Sequence, residues 1–174
     1  MTLYLYETVP SESQKADPSA LVDAIATALT GAGSEVIETQ ITKGAERVFT
    51  IVELADGTDA QSLDAGALGA AEVTEPAQVR LVGTDLETIK AARPEAGYLV
   101  EWDIPAEIDM DTYLTNKKKK SPKYAEIPEV SFLRTYVRED TDKCLCFYNA
   151  PDEDAVVRAR DIVSTPISRL HTLS

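Results

Sequence analysis

Two cysteines, Cys144 and Cys146, stand two residues apart in the run Lys143-Cys144-Leu145-Cys146-Phe147-Tyr148. Thiolates are nucleophiles and soft metal ligands, so this is the first place to look for chemistry. On an extended strand both side chains would share one face, about 6–7 Å apart along the chain, too far for an unstrained disulfide. A tetrahedral zinc site needs further Cys or His ligands at suitable spacing, and the sequence does not supply them. His171 is the single histidine, so a Cys–His nucleophile pair would depend on it alone and has no supporting motif. The bland reading is two small core or sheet-face residues in a reducing compartment. A Walker A sequence, a nucleophile elbow and a strand-linked GxGxxG are all missing, so no recognised catalytic motif is present and the chain leans away from an enzyme.

Oxygen chemistry has its own candidates. Glu101 and Asp103, two apart on one strand, offer hard ligands for a cation or, beside Tyr136, acid–base groups. Arg134 and Arg138 are the expected cross-strand partners of these carboxylates, because buried charges persist only when paired. A small polar cavity for an anion, a metal or an organic ligand is the sharper reading of the same residues. The run Lys117-Lys118-Lys119-Lys120 ends a helix begun at Asp109 and reads as a solvated helix end suited to the dipole. A docking patch for an acidic partner is the alternative.

The elements that must position these groups recur twice. Leu3 to Pro10 is echoed by Tyr98 to Pro105 at an offset of 95, and Gln40 to Asp56 by Tyr136 to Asp152 at an offset of 96. Each copy reads as strand, helix, strand, strand, helix, strand. In the first copy, Asp17-Pro18 starts a helix with Leu21, Ile25 and Leu29 as its apolar stripe, and Gly31 and Gly33 stop it. A hairpin turns about Lys43-Gly44, residues 58–71 make a weaker helix, and Ala77 to Val82 closes the copy. In the second, Gly97 to Ile104 is a strand and Asp109 to about Lys119 a helix. Val130 to Val137 pairs with Lys143 to Tyr148, Asp152 caps a helix, and Arg169 to Leu173 closes. Thr84 to Arg93 reads as a linker helix ended by Pro94.

The predicted fold class is therefore α+β: tandem ferredoxin-like (βαββαβ) sandwiches with antiparallel sheets, the sheets packed face to face as in dimeric α+β barrels. The expected domains are 1–83, a linker helix at 84–96, and 97–174. Helices cover one sheet face only. Alternation sets Leu133, Val137, Leu145 and Phe147 toward the helices. It sets Glu101, Asp103, Arg134, Tyr136, Arg138, Cys144, Cys146 and Tyr148 on the opposite face, the candidate ligand-binding set. Their first-copy equivalents are Tyr6, Thr8, Glu38, Gln40, Thr42, Val48, Thr50 and Val52. Tyr6, Val48, Val52, Tyr136 and Tyr148 are too apolar to face water, which predicts packing between two sheets of one chain or of a homo-oligomer.

Composition bounds the partners. The 174 residues carry 17 basic and 30 acidic side chains, a net charge of −13, with 44% hydrophobic residues. That is an ordinary globule, and its acidity argues against nucleic acid. About three quarters of the charge lies early: residues 1–95 hold 6 basic and 16 acidic side chains, the remainder 11 and 14. No apolar run approaches the ~18–20 residues that span a bilayer, and the first ten residues lack a basic signal-peptide region. A cytoplasmic address is the expectation.

The stretch Phe132 to Val137, then Asp142 to Glu153 with its K-C-x-C-x-Y-x-A-P-D-E character, then Pro166 to Leu173, resembles a bacterial domain-of-unknown-function family of nickel-binding-protein-like, ferredoxin-like domains. The resemblance covers residues 97–174. It implies a β-sheet-mediated dimer, here made within one chain, and divalent metal binding. Metal-binding members carry histidines, one of them in the helix after the A-P-D-E block; Ala159 stands there in this chain, and no family ligand carries over. The leading expectation is a non-catalytic module that binds a small ligand or a protein through its sheet face or seam. Its rivals are a cofactor-independent enzyme of the α+β-barrel type and a divalent metal (nickel) binding protein.

Overall fold

The structure, a computed structural model, describes residues 1–30, 33–92 and 95–174. The predicted stops at Gly31 and Pro94 and the linker-helix end at Arg93 lie outside the described residues. The chain divides into two compact units, Met1–Val79 with Ser174, and Arg80–Leu173.

The first unit runs β1 (Thr2–Val9), α1 (Glu12–Lys15), α2 (Ser19–Leu29), β2 (Ser34–Ile41), β3 (Val48–Leu54), α3 (Ala65–Leu68), β4 (Glu72–Val73) and the start of β5 (Ala77–Val82). Its sheet is antiparallel in the order β2-β3-β1-β5, with β4 also paired to β1. Helix α2 begins where Pro18 fixes φ and the Asp17 carboxylate accepts from the Ser19 amide. Leu21, Ile25 and Leu29 are its buried stripe, packed on Tyr6, Val48, Val52 and Leu54. Burying each such side chain contributes about 1.5–3 kcal/mol. The β2–β3 hairpin turns through Lys43–Ala45, where Gly44 takes φ +78°. Of the helix expected over 58–71 only Ala65–Leu68 forms. Asp64 caps it, and Gly69 in the left-handed region ends it after one turn.

The second unit continues with α4 (Leu86–Ala92), β6 (Tyr98–Asp103), α5 (Met110–Lys120), β7 (Ser131–Arg138), β8 (Lys143–Asn149), α6 (Glu153–Ile162) and β9 (Arg169–Thr172). Its strands lie in the order β7-β8-β6-β9 and pair antiparallel, the same order of first, second, third and last strand as in the first unit. The fold is thus mixed α+β with antiparallel sheet throughout the described pairings. Asp109 caps α5 by accepting from Thr112, and Asp152 caps α6 by accepting from Ala155. Val100, Val137, Cys144, Cys146 and Tyr148 lie beneath these helices, packed with Tyr113 of α5 and Val156 and Ala159 of α6.

The face assignment made from alternation is reversed on β8. Cys144, Cys146 and Tyr148 lie under α5 and α6, whereas Leu145 and Phe147 are register partners of Glu101, Leu99, Tyr136 and Arg134 on the other face. The same reversal holds for Tyr6, Val48 and Val52, which pack beneath α2. The physical reason is that β3 is buried along its whole length and β8 in all but its last residue. Both faces are therefore apolar, and a two-residue period marks two sets without saying which meets the helices. Register adds a second correction. Both hairpins carry a bulge at matching places, skipping Ile37 and Leu133, which stand 96 residues apart. The offset of 95 for the first strand does not keep faces: Tyr6 faces the helices, but Glu101 does not. A one-residue slip exchanges every side chain between faces, and Val100 is the helix-facing counterpart of Tyr6.

Candidate functional site

The predicted ligand-binding set splits between the two faces of the second unit's sheet. Glu101, Asp103, Arg134, Tyr136 and Arg138 share the face away from the helices; Cys144, Cys146 and Tyr148 lie beneath them. Glu101, only 1% exposed, is the hub of the first group. Lys143 Nζ donates to its Oε1 at 2.6 Å and Arg169 Nε to its Oε2 at 2.9 Å, while His171 Nε2 lies 2.6 Å from Oε2. Arg169 also grips Asp103 with two bonds of 2.6 and 3.0 Å. Burial alone would raise the Glu101 pKa, but the bonds from His171, Lys143 and Arg169 outweigh it and hold the carboxyl well below the usual range. The expected carboxylate–guanidinium pairing exists, with a different arginine: Arg169 and Lys143 bind Glu101. Arg138 forms a two-bond pair with Asp140 in the β7–β8 turn, and Arg134 stacks its guanidinium 4.6 Å from the Phe147 ring centre. Tyr136 meets Phe147 edge-on at 5.8 Å.

Cys144 and Cys146 of the second group line a cavity of about 150 Å³ under α5 and α6. Its walls include Trp102, Ile108, Tyr113, Lys117, Tyr124, Cys144, Cys146, Arg160 and Val163. Strand β8 places Cys144 and Cys146 on the cavity side, their sulfurs 3.9 Å apart. Around Cys146 Sγ converge Thr135 Oγ1 at 3.3 Å, Arg160 Nη1 at 3.6 Å and Lys117 Nζ at 3.9 Å. The Cys144 contact, the Lys117 and Arg160 charges and the Thr135 hydroxyl together push the Cys146 thiol well below its ordinary pKa, against its burial. Cys144 is displaced the opposite way, by its bond with Cys146 and by burial, and stays protonated. Arg160, 2% exposed, also donates to Tyr148 Oη at 3.1 Å and to the Pro166 carbonyl at 2.6 Å. The Tyr148 and Tyr124 hydroxyls lie 2.5 Å apart, and burial raises the pKa of both. One polar atom of the cavity-lining residues, Arg160 Nε, is buried with no hydrogen-bond partner among the described residues. The Tyr113 hydroxyl has the Cys144 thiol as its polar neighbour, and burial first, then the two cysteines, raise its pKa.

The sequence singled out neither Arg160 nor Tyr113, and read Lys117 only as part of a charged run. Arg160 follows Ala159 on the buried side of α6, where a charged residue amid Ala155, Val156 and Ala159 was the available clue. Lys117 is not a solvated helix end: half-buried, it lies 4.5 Å from the Phe132 ring centre and reaches Cys146. Lys120, by contrast, closes on the Ser164 carbonyl.

Residues 98–173 match the family model described as "Nickel responsive protein SCO4226-like", the family that the Cys144–Glu153 stretch resembles. No curated protein matches the chain. Among solved structures, a Fusobacterium nucleatum subsp. nucleatum protein carrying a provisional monooxygenase name is 14% identical, over 99% of this chain and 91% of its own, with a TM-score of 0.51. An anthrone oxidase-like protein is 9% identical, over the same shares, with a TM-score of 0.50. At such identities the likeness shows the α+β fold alone.

Nickel, which the family description names, was tested against the residues present. Among the described residues no three His, Cys, Asp or Glu side chains converge to hold a metal ion. The dithiol faces an ammonium and a guanidinium, which oppose a cation, and the one histidine is engaged with Glu101. This donor set does not fit a nickel centre.

Proposed function

We propose that the second unit binds a small carboxylate with an apolar body in the cavity beneath α5 and α6. The observation that carries this is the buried guanidinium of Arg160, which lines the cavity and whose Nε has no hydrogen-bond partner among the described residues. A buried donor left without a partner costs about 1–3 kcal/mol, and an anion with an acceptor oxygen would satisfy it. Lys117 and Arg160 supply positive charge in excess of one thiolate. Trp102, Ile108 and Val163 supply apolar wall. A cavity near 150 Å³ suits a body the size of benzene. The reading keeps Cys144 and Cys146 of the predicted set as lining residues, with Tyr148 behind them holding Arg160, and moves the site from the open sheet face to the helix side. It also keeps the view of two ferredoxin-like domains joined near α4.

Trp102 is the only tryptophan and lines the cavity, so its emission reports on occupancy. Titration with benzoate should shift that emission and release heat, and Lys117→Gln should weaken binding about tenfold, the loss of one charge-assisted bond. No heat and no emission change with millimolar benzoate, acetate or phosphate would sink the reading.

A further inference from the structure

The same cavity exposes a nucleophile that anion binding does not use. We infer that Cys146 is a peroxide-reactive cysteine, oxidised through the cavity to a sulfenic acid and returned by thiol reduction. Three observations carry it. First, Cys146 lines the cavity wall with only 1% of its surface open, so the route to its sulfur runs through the cavity and favours a reagent as small as hydrogen peroxide over a bulky electrophile. Second, its sulfur has donors on several sides: Thr135 Oγ1 at 3.3 Å, Arg160 Nη1 at 3.6 Å, Lys117 Nζ at 3.9 Å and the Cys144 thiol at 3.9 Å. A structural buried cysteine sits in apolar surroundings and is inert; an electropositive pocket marks the reactive kind. The lowered pKa of Cys146 agrees with this geometry. Third, the neighbouring Cys144 is a poor resolving partner. The two residues lie on one strand about 6.6 Å apart at the backbone, at the far edge of what a disulfide spans. Their sulfurs stand 3.9 Å apart and would have to close to about 2.05 Å. Bridging them would deform β8, the strand that pairs with both β6 and β7. The sulfenic acid therefore persists.

The step balances without any other reagent than the hydroperoxide. The Cys146 sulfur attacks the terminal oxygen, the S–O bond forms and the O–O bond breaks. Sulfur loses two electrons, and the peroxide leaves as alkoxide, or as hydroxide for hydrogen peroxide. Lys117 and Arg160 stabilise that developing anion beside the sulfur, and it takes a proton from water. A small thiol then reduces the sulfenic acid in two exchanges, giving a mixed disulfide and finally the free cysteine and an oxidised thiol pair.

The test uses the full chain and hydrogen peroxide, with no carboxylate present, so its outcome is independent of ligand binding. Brief exposure followed by dimedone trapping and peptide mass spectrometry should place the adduct on Cys146, at least about tenfold faster than on glutathione at the same pH. Cys146→Ser should abolish the adduct. Lys117→Met, which keeps an unbranched side chain of nearly the same length and removes only the charge, should slow it about tenfold while the protein still melts cooperatively. This second variant decides the matter if Cys146→Ser does not fold. Oxygen found on Cys144, a rate no greater than that of glutathione, or a rapid loss of two hydrogens to a Cys144–Cys146 disulfide would each overturn the inference.

Discussion

Glu101 shows how one carboxylate organises a sheet face. It is buried, ionised, and bound by Lys143, Arg169 and His171. Removing its charge breaks the buried 2.6 Å pair with the Lys143 ammonium, a change that costs about 3–5 kcal/mol. Urea denaturation of Glu101→Gln at pH 7 should show a loss of that order. The pH dependence follows from the same bonds. Because the folded pKa lies below that of the unfolded chain, the contribution is complete above about pH 4.3 and drains away as pH falls below it. Wild type should therefore lose stability on acidification faster than Glu101→Gln does. Parallel curves for the two proteins would show that the cluster adds nothing at neutral pH. Nothing in the sequence singled out Arg169 as the partner, because β9 reaches β6 only through tertiary pairing, Glu101 opposite Arg169.

Elements were far more legible than faces. The stripe Leu21, Ile25 and Leu29, the capping residues Asp109 and Asp152, and the closing strand at Ala77–Val82 all appear where local chemistry places them. Their signals are short-range: a cap bonds two or three residues on, and a stripe repeats within one helix. Which face of β3 or β8 meets the helices is long-range information, and strands buried on both faces erase the polar contrast that would carry it. The candidate site suffered most, since Arg160, Lys117 and Tyr113 come from different elements than the cysteines they surround. Helix α5 is the weakest wall: of its eleven residues only Tyr113 is fully buried. Its cap should therefore matter more than usual. Asp109→Ala removes the bond to the Thr112 amide and should cost about 1 kcal/mol. Hydrogen exchange should locate the loss in α5, and Trp102 emission should shift as the wall loosens. Unchanged protection across Met110–Lys120 would mean that packing on Tyr113, not the cap, holds the helix.

Charge is a property of the whole molecule, and its distribution makes a prediction about salt. Residues 1–79 hold 3 basic and 13 acidic side chains, a net charge of −10, whereas residues 80–173 hold 14 and 17, a net charge of −3. A surplus of one sign keeps a protein soluble but works against its compact state. The effect is between exposed groups, so it is screened once the Debye length falls from about 30 Å at 0.01 M to about 8 Å at 0.15 M. The Glu101–Lys143 pair is buried and opposite in sign of effect: its attraction is screened much less. Sodium chloride should therefore raise the stability of the first unit more than that of the second. Amide exchange separates the two, since β1 and β3 report on one unit and β6 and β8 on the other. Greater protection of Leu5 and Ile51 on adding salt, with little change at Val100 and Cys146, is the expected pattern. Equal gains at both pairs would mean that the chain unfolds as one cooperative body and that the acidic surplus is shared rather than local.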